Sequence, residues 1–112
     1  MTLRLEDAMD LKELADRLGL AEDEYADLIR LFIDTSSVEM ENLKSAISDK
    51  ARTEASAIVH SLKGAALNMR LKEFSETARE METAIRSSQW QAADQFTQQF
   101  SELLEELIWA IR

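Results

Sequence analysis

Hydrophobic residues recur along the chain every three or four positions, the spacing of one helical face, and polar stretches divide that pattern into five segments. The first runs roughly from Leu5 to Leu18, with Leu11, Leu14, Ala15 and Leu18 at helical spacing, and Gly19 followed by Leu20 reads as a left-handed stop. The second, about Ala21 to Ser48, puts Tyr25, Leu28, Ile29, Phe32, Leu43 and Ile47 on one stripe, while Thr35, Ser36 and Ser37 weaken its middle enough to allow a bend. The third, about Ala51 to Met69, follows the polar stretch Ser48-Asp49-Lys50 and turns Ile58, Leu62, Ala66 and Met69 inward. The fourth, about Leu71 to Ser87, uses Phe74, Ala78, Met81 and Ile85; the fifth, about Gln89 to Ile111, uses Ala93, Phe96, Phe100, Leu103, Leu107 and Ile111. The last four are of comparable length, and short connections make sequential helices antiparallel neighbours. The pattern therefore predicts an up-and-down four-helix bundle with the first short helix lying across one end. Trp90, Trp109 and the methionines at helical spacing read as core or core-edge packing.

Composition agrees with an all-α fold: no proline and only two glycines, Gly19 and Gly64, are available to punctuate strands and hairpins. At 112 residues the chain makes one domain, 1–112, too small for a nucleotide-binding unit beside a substrate unit. Its 13 Lys and Arg against 22 Asp and Glu give a net charge of −9, which lacks the footprint of a nucleic-acid or anionic-membrane binder. The absence of cysteine excludes disulfides, thiol catalysis and thiolate metal sites. One histidine without a Glu-x-x-His pair cannot build a metal site of the bundle type, and with no glycine-rich phosphate loop the chain cannot take phosphate from ATP. Met1 to Asp7 mixes apolar and charged residues and shows no secretory signal, and no later run is apolar enough for a membrane span. These features predict a soluble, cytoplasmic monomer, and Met1 with a complete bundle points to a free-standing domain.

His60, the one histidine, falls opposite the mean direction of Ile58, Leu62 and Met69 on a helical wheel and so faces outward. Lys63 and Gly64 share its face one turn on, and Leu67 follows as an outward apolar residue with no core duty. Glycine within a helix costs about 1 kcal/mol relative to alanine, so Gly64 calls for a reason. Close approach supplies one: without a side chain at 64, another molecule reaches the imidazole. A helical hairpin turning near Leu71 places Glu82 at the height of His60 on the neighbouring helix. Arg86, one turn beyond, is placed either to pair with Glu82 at i,i+4 or to join Lys63 in facing an anionic group on an approaching molecule.

The stretch His60-Ser61-Leu62-Lys63-Gly64-Ala65-Ala66 resembles the signature of the histidine-containing phosphotransfer (HPt) domains of multistep two-component signalling. Leu28, Phe32, Leu43 and Ala46 before it, and Phe74, Ala78, Met81 and Glu82 after it, are similar to the flanking helices of that family. One departure is clear: Arg70-Leu71 stands where the family commonly has Gly-Ala or Gly-Leu. The resemblance implies that His60 accepts a phosphoryl group from a receiver-domain aspartate and passes it to another. Lys63 would neutralise the phosphohistidine, Gly64 admit the partner, and Glu82 orient the ring by accepting from Nδ1–H so that Nε2 attacks. Ser56, Leu67 and Arg86 would touch the partner. The chain itself would need no cofactor, Mg²⁺ belonging to the receiver's acidic pocket. The rival reading is a non-catalytic helical adaptor, a degenerate relative whose His60 face only docks a signalling partner.

Overall fold

The structure, a computed structural model, describes residues 11–111. The stretch Leu5–Asp10 of the first predicted segment, and the side chains of Leu11 and Leu14, lie outside what it describes. Five helices follow in order: α1 Leu11–Arg17, α2 Glu22–Ser48, α3 Arg52–Asn68, α4 Lys72–Arg86 and α5 Trp90–Ala110. There is no strand among the described residues. The ends of the last four helices fall within one residue of those read from the hydrophobic spacing. Their lengths are less even than predicted, from 15 residues in α4 to 27 in α2. Through Thr35-Ser36-Ser37, α2 is helical without interruption, with Ser36 buried and its two neighbours exposed.

The three connections between α2, α3, α4 and α5 share one backbone solution. Each helix ends in a residue with ψ near zero (Asp49 at −3°, Met69 at −1°, Ser87 at 6°), then a positive-φ residue (Lys50 at 53°, Arg70 at 61°, Ser88 at 58°), then one that returns to negative φ (Ala51 at −84°, Leu71 at −94°, Gln89 at −90°). The amide after each positive-φ residue closes onto a carbonyl five positions back: Ala51 to Ala46 at 2.8 Å, Leu71 to Ala66 at 2.9 Å and Gln89 to Ala84 at 2.8 Å. This is the Schellman motif, which satisfies the carbonyls left over at a helix end. Gly19 ends α1 in the same way, with φ 73° and Leu20 N–H donating to the Ala15 carbonyl at 2.9 Å, as its sequence position predicts. Arg70 therefore forms, without glycine, the turn for which glycine is the relaxed residue. At the start of α2 the Glu24 carboxylate accepts from the Ala21 N–H at 2.8 Å, one half of a capping box.

Contacts close a ring: α2 touches α3, α3 touches α4, α4 touches α5, and α5 returns to α2, while α1 packs on α2. Three phenylalanines lock the interior, with Phe32 edge-on to Phe74 at 5.4 Å and Phe74 edge-on to Phe100 at 5.3 Å, so that α2, α4 and α5 meet in one aromatic stack. Tyr25 is fully buried and its hydroxyl donates to the Met69 carbonyl at 2.6 Å, tying α2 to the turn after α3. Burial pushes that phenol up to about 12.

Most of the predicted stripe residues are buried, and Leu18, Ile58, Phe96 and Ile111 pack half-buried against the core. Two expectations fail. Leu28 is exposed, because it sits at the edge of the α2 stripe, about 80° away from the line through Ile29 and Tyr25. Trp109 is 71% exposed, because on α5 it points away from the face of Leu103, Leu104 and Leu107; Trp90 does pack at the core edge, and Met40, Met69 and Met81 are buried.

Candidate functional site

The site is built on α3 and α4. Their register is fixed by paired contacts: Arg52 Nη1 donates to the Arg86 carbonyl at 3.4 Å, and further along α3 both His60 and Lys63 meet Glu82. Position rises on α3 as it falls on α4, so these two helices run antiparallel. They are held together below the site by Val59, Leu62 and Ala66 on one side and by Ala78, Met81 and Ile85 on the other, all buried. The nucleophile candidate thus projects from a rigid wall.

His60 faces outward as predicted, its side chain 75% exposed. The carboxylate of Glu82 is only 12% exposed and gathers three basic groups. Lys63 Nζ donates to its Oε1 at 2.8 Å, Arg86 Nη2 stands 3.5 Å from its Oε2, and His60 Nδ1 lies 3.7 Å from the same Oε2. The hydrogen bond from Lys63 is the main reason that the Glu82 carboxyl is held below the usual carboxylate range, with the charges of Lys63, Arg86 and His60 adding to it against the opposing effect of burial. Glu82 therefore stays ionised at neutral pH beside the imidazole.

Sequence reasoning placed His60 and Glu82 at one height, and they are; it did not foresee that Lys63 would occupy the carboxylate. On the α3 wheel Lys63 lies about 60° closer to α4 than His60 does, a signal present in the sequence. At 3.7 Å the ring is beyond hydrogen-bond reach of Glu82, and Nδ1 is the ring nitrogen nearer to it. Of the two placements open to Arg86, the structure has the i,i+4 pair with Glu82. A Cβ built on Gly64 meets no atom within 4 Å, so nothing in the packing demands glycine there. Ser56, half-buried, precedes His60 by one turn, and Leu67 follows on the same outward stripe, 57% exposed.

The family model of the Hpt domain matches residues 27–108, which spans α3, α4 and nearly all of α2 and α5. The chain belongs to the Hpt domain family. Domains of this family carry out histidine phosphotransfer in phosphorelays, where they interact with receiver domains. No curated protein and no solved structure matches this Hpt domain. Among its described residues no group of His, Asp and Glu is arranged to hold a metal ion, and no helix is long and apolar enough to cross a membrane.

Sequence reasoning also passed over Arg52, which joins the start of α3 to the end of α4, and the cations Arg17 and Lys72, which stand with Arg70 around the far end of the His60 stripe. The gathering of bases near the α3–α4 turn of an acidic chain was the available signal.

Proposed function

We propose that His60 is the phosphoryl acceptor of this Hpt domain, taking the group from the aspartyl phosphate of one receiver and delivering it to the aspartate of another. The observation that carries the reading is the placement of the one histidine: exposed, beside an ionised carboxylate, with open space at Gly64 in front of it. The Nε2 lone pair attacks phosphorus in line, the P–N bond forms as the acyl P–O bond breaks, and the donor aspartate leaves as a carboxylate. Nδ1 keeps its proton throughout, so the phosphorylated ring carries a positive charge, and the Glu82 carboxylate stabilises it. Lys63, one quarter exposed, turns its ammonium from Glu82 toward the phosphoryl oxygens, and Arg86 holds the carboxylate meanwhile. Gly64 lets the receiver surface approach, and Ser56 and Leu67 touch it.

The chemistry asks little of this chain beyond positioning and charge neutralisation. Mg²⁺ is supplied from the receiver's acidic pocket, and the domain needs no cofactor of its own. The four long helices form an antiparallel up-and-down bundle with α1 across one end, a monomeric cytoplasmic domain over residues 1–112 that binds neither nucleic acid nor membrane. The test is phosphate uptake. Incubated with Mg²⁺-ATP alone the protein acquires none; with a phosphorylated receiver it acquires a label that acid removes and base spares, as a phosphoramidate bond requires. Uptake from ATP alone, or an acid-stable label, contradicts the reading.

A further inference from the structure

His60, Gly64 and Leu67 succeed one another along the outward stripe of α3, and that stripe ends at a cavity of about 530 Å³ between α1, the end of α3 and the start of α4. Leu18, Leu67 and Leu71 supply its apolar lining, and Arg17, Arg70 and Lys72 supply its charge; none of the described residues lining it is acidic. On a chain with 22 acidic and 13 basic residues this is a local reversal of sign. Elsewhere the molecule behaves as its composition dictates: the groove between α4 and α5 is lined by Glu73, Glu76, Glu80 and Glu102, with no Lys or Arg among the described residues that line it. The position of Arg70 adds to this. It holds a φ of 61°, where glycine is free of strain, yet the chain keeps a guanidinium there at the edge of the cavity.

We propose that this cavity is the element that selects the phosphorelay partner, accepting a receiver surface that presents an apolar side chain flanked by carboxylates. The proposal rests on the reading of His60 as phosphoryl acceptor and adds to it where specificity lies. Leu67 stands seven residues, about 10 Å, along α3 from His60, so a surface seated on the cavity has its neighbouring part over the imidazole. The mixture of leucines and cations suits a protein surface and not a free anion, which would leave the leucines uncovered. Charge of this kind acts mainly on association: the net −9 of the chain repels an acidic partner at long range, and the cationic wall orients it at short range.

The experiment separates docking from chemistry by using two phosphate donors. Phosphoramidate, a small molecule that loses ammonia as its phosphorus passes to the imidazole, reports the reactivity of His60 alone. The phosphorylated receiver that gives the fastest transfer, chosen from a panel of receiver domains, reports docking as well. Arg70→Gly keeps the turn and relieves its backbone, so its melting temperature rises; its uptake from phosphoramidate matches the wild type, and KM for the receiver rises. The double variant R70E/K72E raises KM about tenfold or more, and added salt narrows the difference in KM between the wild type and this variant. Restoring the rate by exchanging a receiver carboxylate for lysine completes the assignment. Receiver transfer by R70E/K72E at the wild-type KM, with phosphoramidate uptake normal, overturns the cavity as the selecting element and leaves His60 in its role. Failure of wild-type His60 to take phosphate from either donor overturns the underlying reading instead.

Discussion

At the scale of single residues, the site depends on three positions whose environments differ sharply. His60 is exposed and Glu82 is nearly buried, so the ring is open to the surroundings while the neighbouring carboxylate is screened from water and held by Lys63 at 2.8 Å. Gly64 is explained by what is missing around it. Because a Cβ there meets nothing within 4 Å, Gly64→Gln should be tolerated by the fold and should recover most of the about 1 kcal/mol of helix propensity that glycine gives up, while slowing transfer from a phosphorylated receiver. Thermal unfolding and transfer kinetics check this; a variant that melts lower, or one that transfers at full speed, removes the access role. The outward direction of His60 and its level with Glu82 were legible in the sequence, since both follow from helical period and a symmetric hairpin. The contact of Lys63 with Glu82 was not read, although the helical period sets Lys63 about 60° from His60 on α3 and so carried the signal.

At the scale of elements, the last four helices were legible nearly to the residue and the turns between them were not. Heptad-like stripes of large apolar residues fix each helix, and their ends follow where the stripe stops. The left-handed residue at Gly19 announced itself, whereas Lys50, Arg70 and Ser88 adopt the same conformation with side chains that normally avoid it. Tertiary packing of α2 on α3, α3 on α4 and α4 on α5 imposes the turn regardless of local preference. Trp109 shows the opposite limit: hydrophobic character alone suggested packing, and only its direction on α5 leaves it outside. If the turns are strained, Lys50→Gly and Ser88→Gly should each raise stability in urea unfolding by about 0.5 to 1 kcal/mol, after the larger unfolded-state freedom of glycine is subtracted. Losses at both positions would mean that these side chains contribute more than the backbone strain removes.

Across the whole molecule, one buried hydrogen bond links the acid-rich start of α2 to the turn that carries Arg70. Tyr25 donates to the Met69 carbonyl, and its phenol is raised from 10.0 to about 12 by burial. The folded protein therefore holds a proton that the unfolded chain has already released, so this contribution is whole below pH 10.0 and is lost as pH rises toward about 12. Stability measured by urea unfolding should fall across that window, and Tyr25→Phe should flatten the fall relative to the wild type. An unchanged slope would place the alkaline transition in other groups. The same view of the molecule shows the charge division: an acidic groove between α4 and α5, and the basic groups Lys63, Arg70, Lys72 and Arg86 gathered along the edge formed by α3 and α4.

The central claim is that His60 carries the phosphoryl group. Its most direct test is tandem mass spectrometry under base-stable conditions after incubation with a phosphorylated receiver, run on the wild type and on His60→Gln. That substitution lies on an exposed helical position and should change stability by no more than about 0.5 kcal/mol, so loss of uptake cannot be assigned to unfolding. The account predicts one phosphoryl group per chain, located on His60, and background uptake in a variant that still binds the receiver. Phosphate found on any other residue, or acceptor activity retained by His60→Gln, would contradict it and give first place to the adaptor reading.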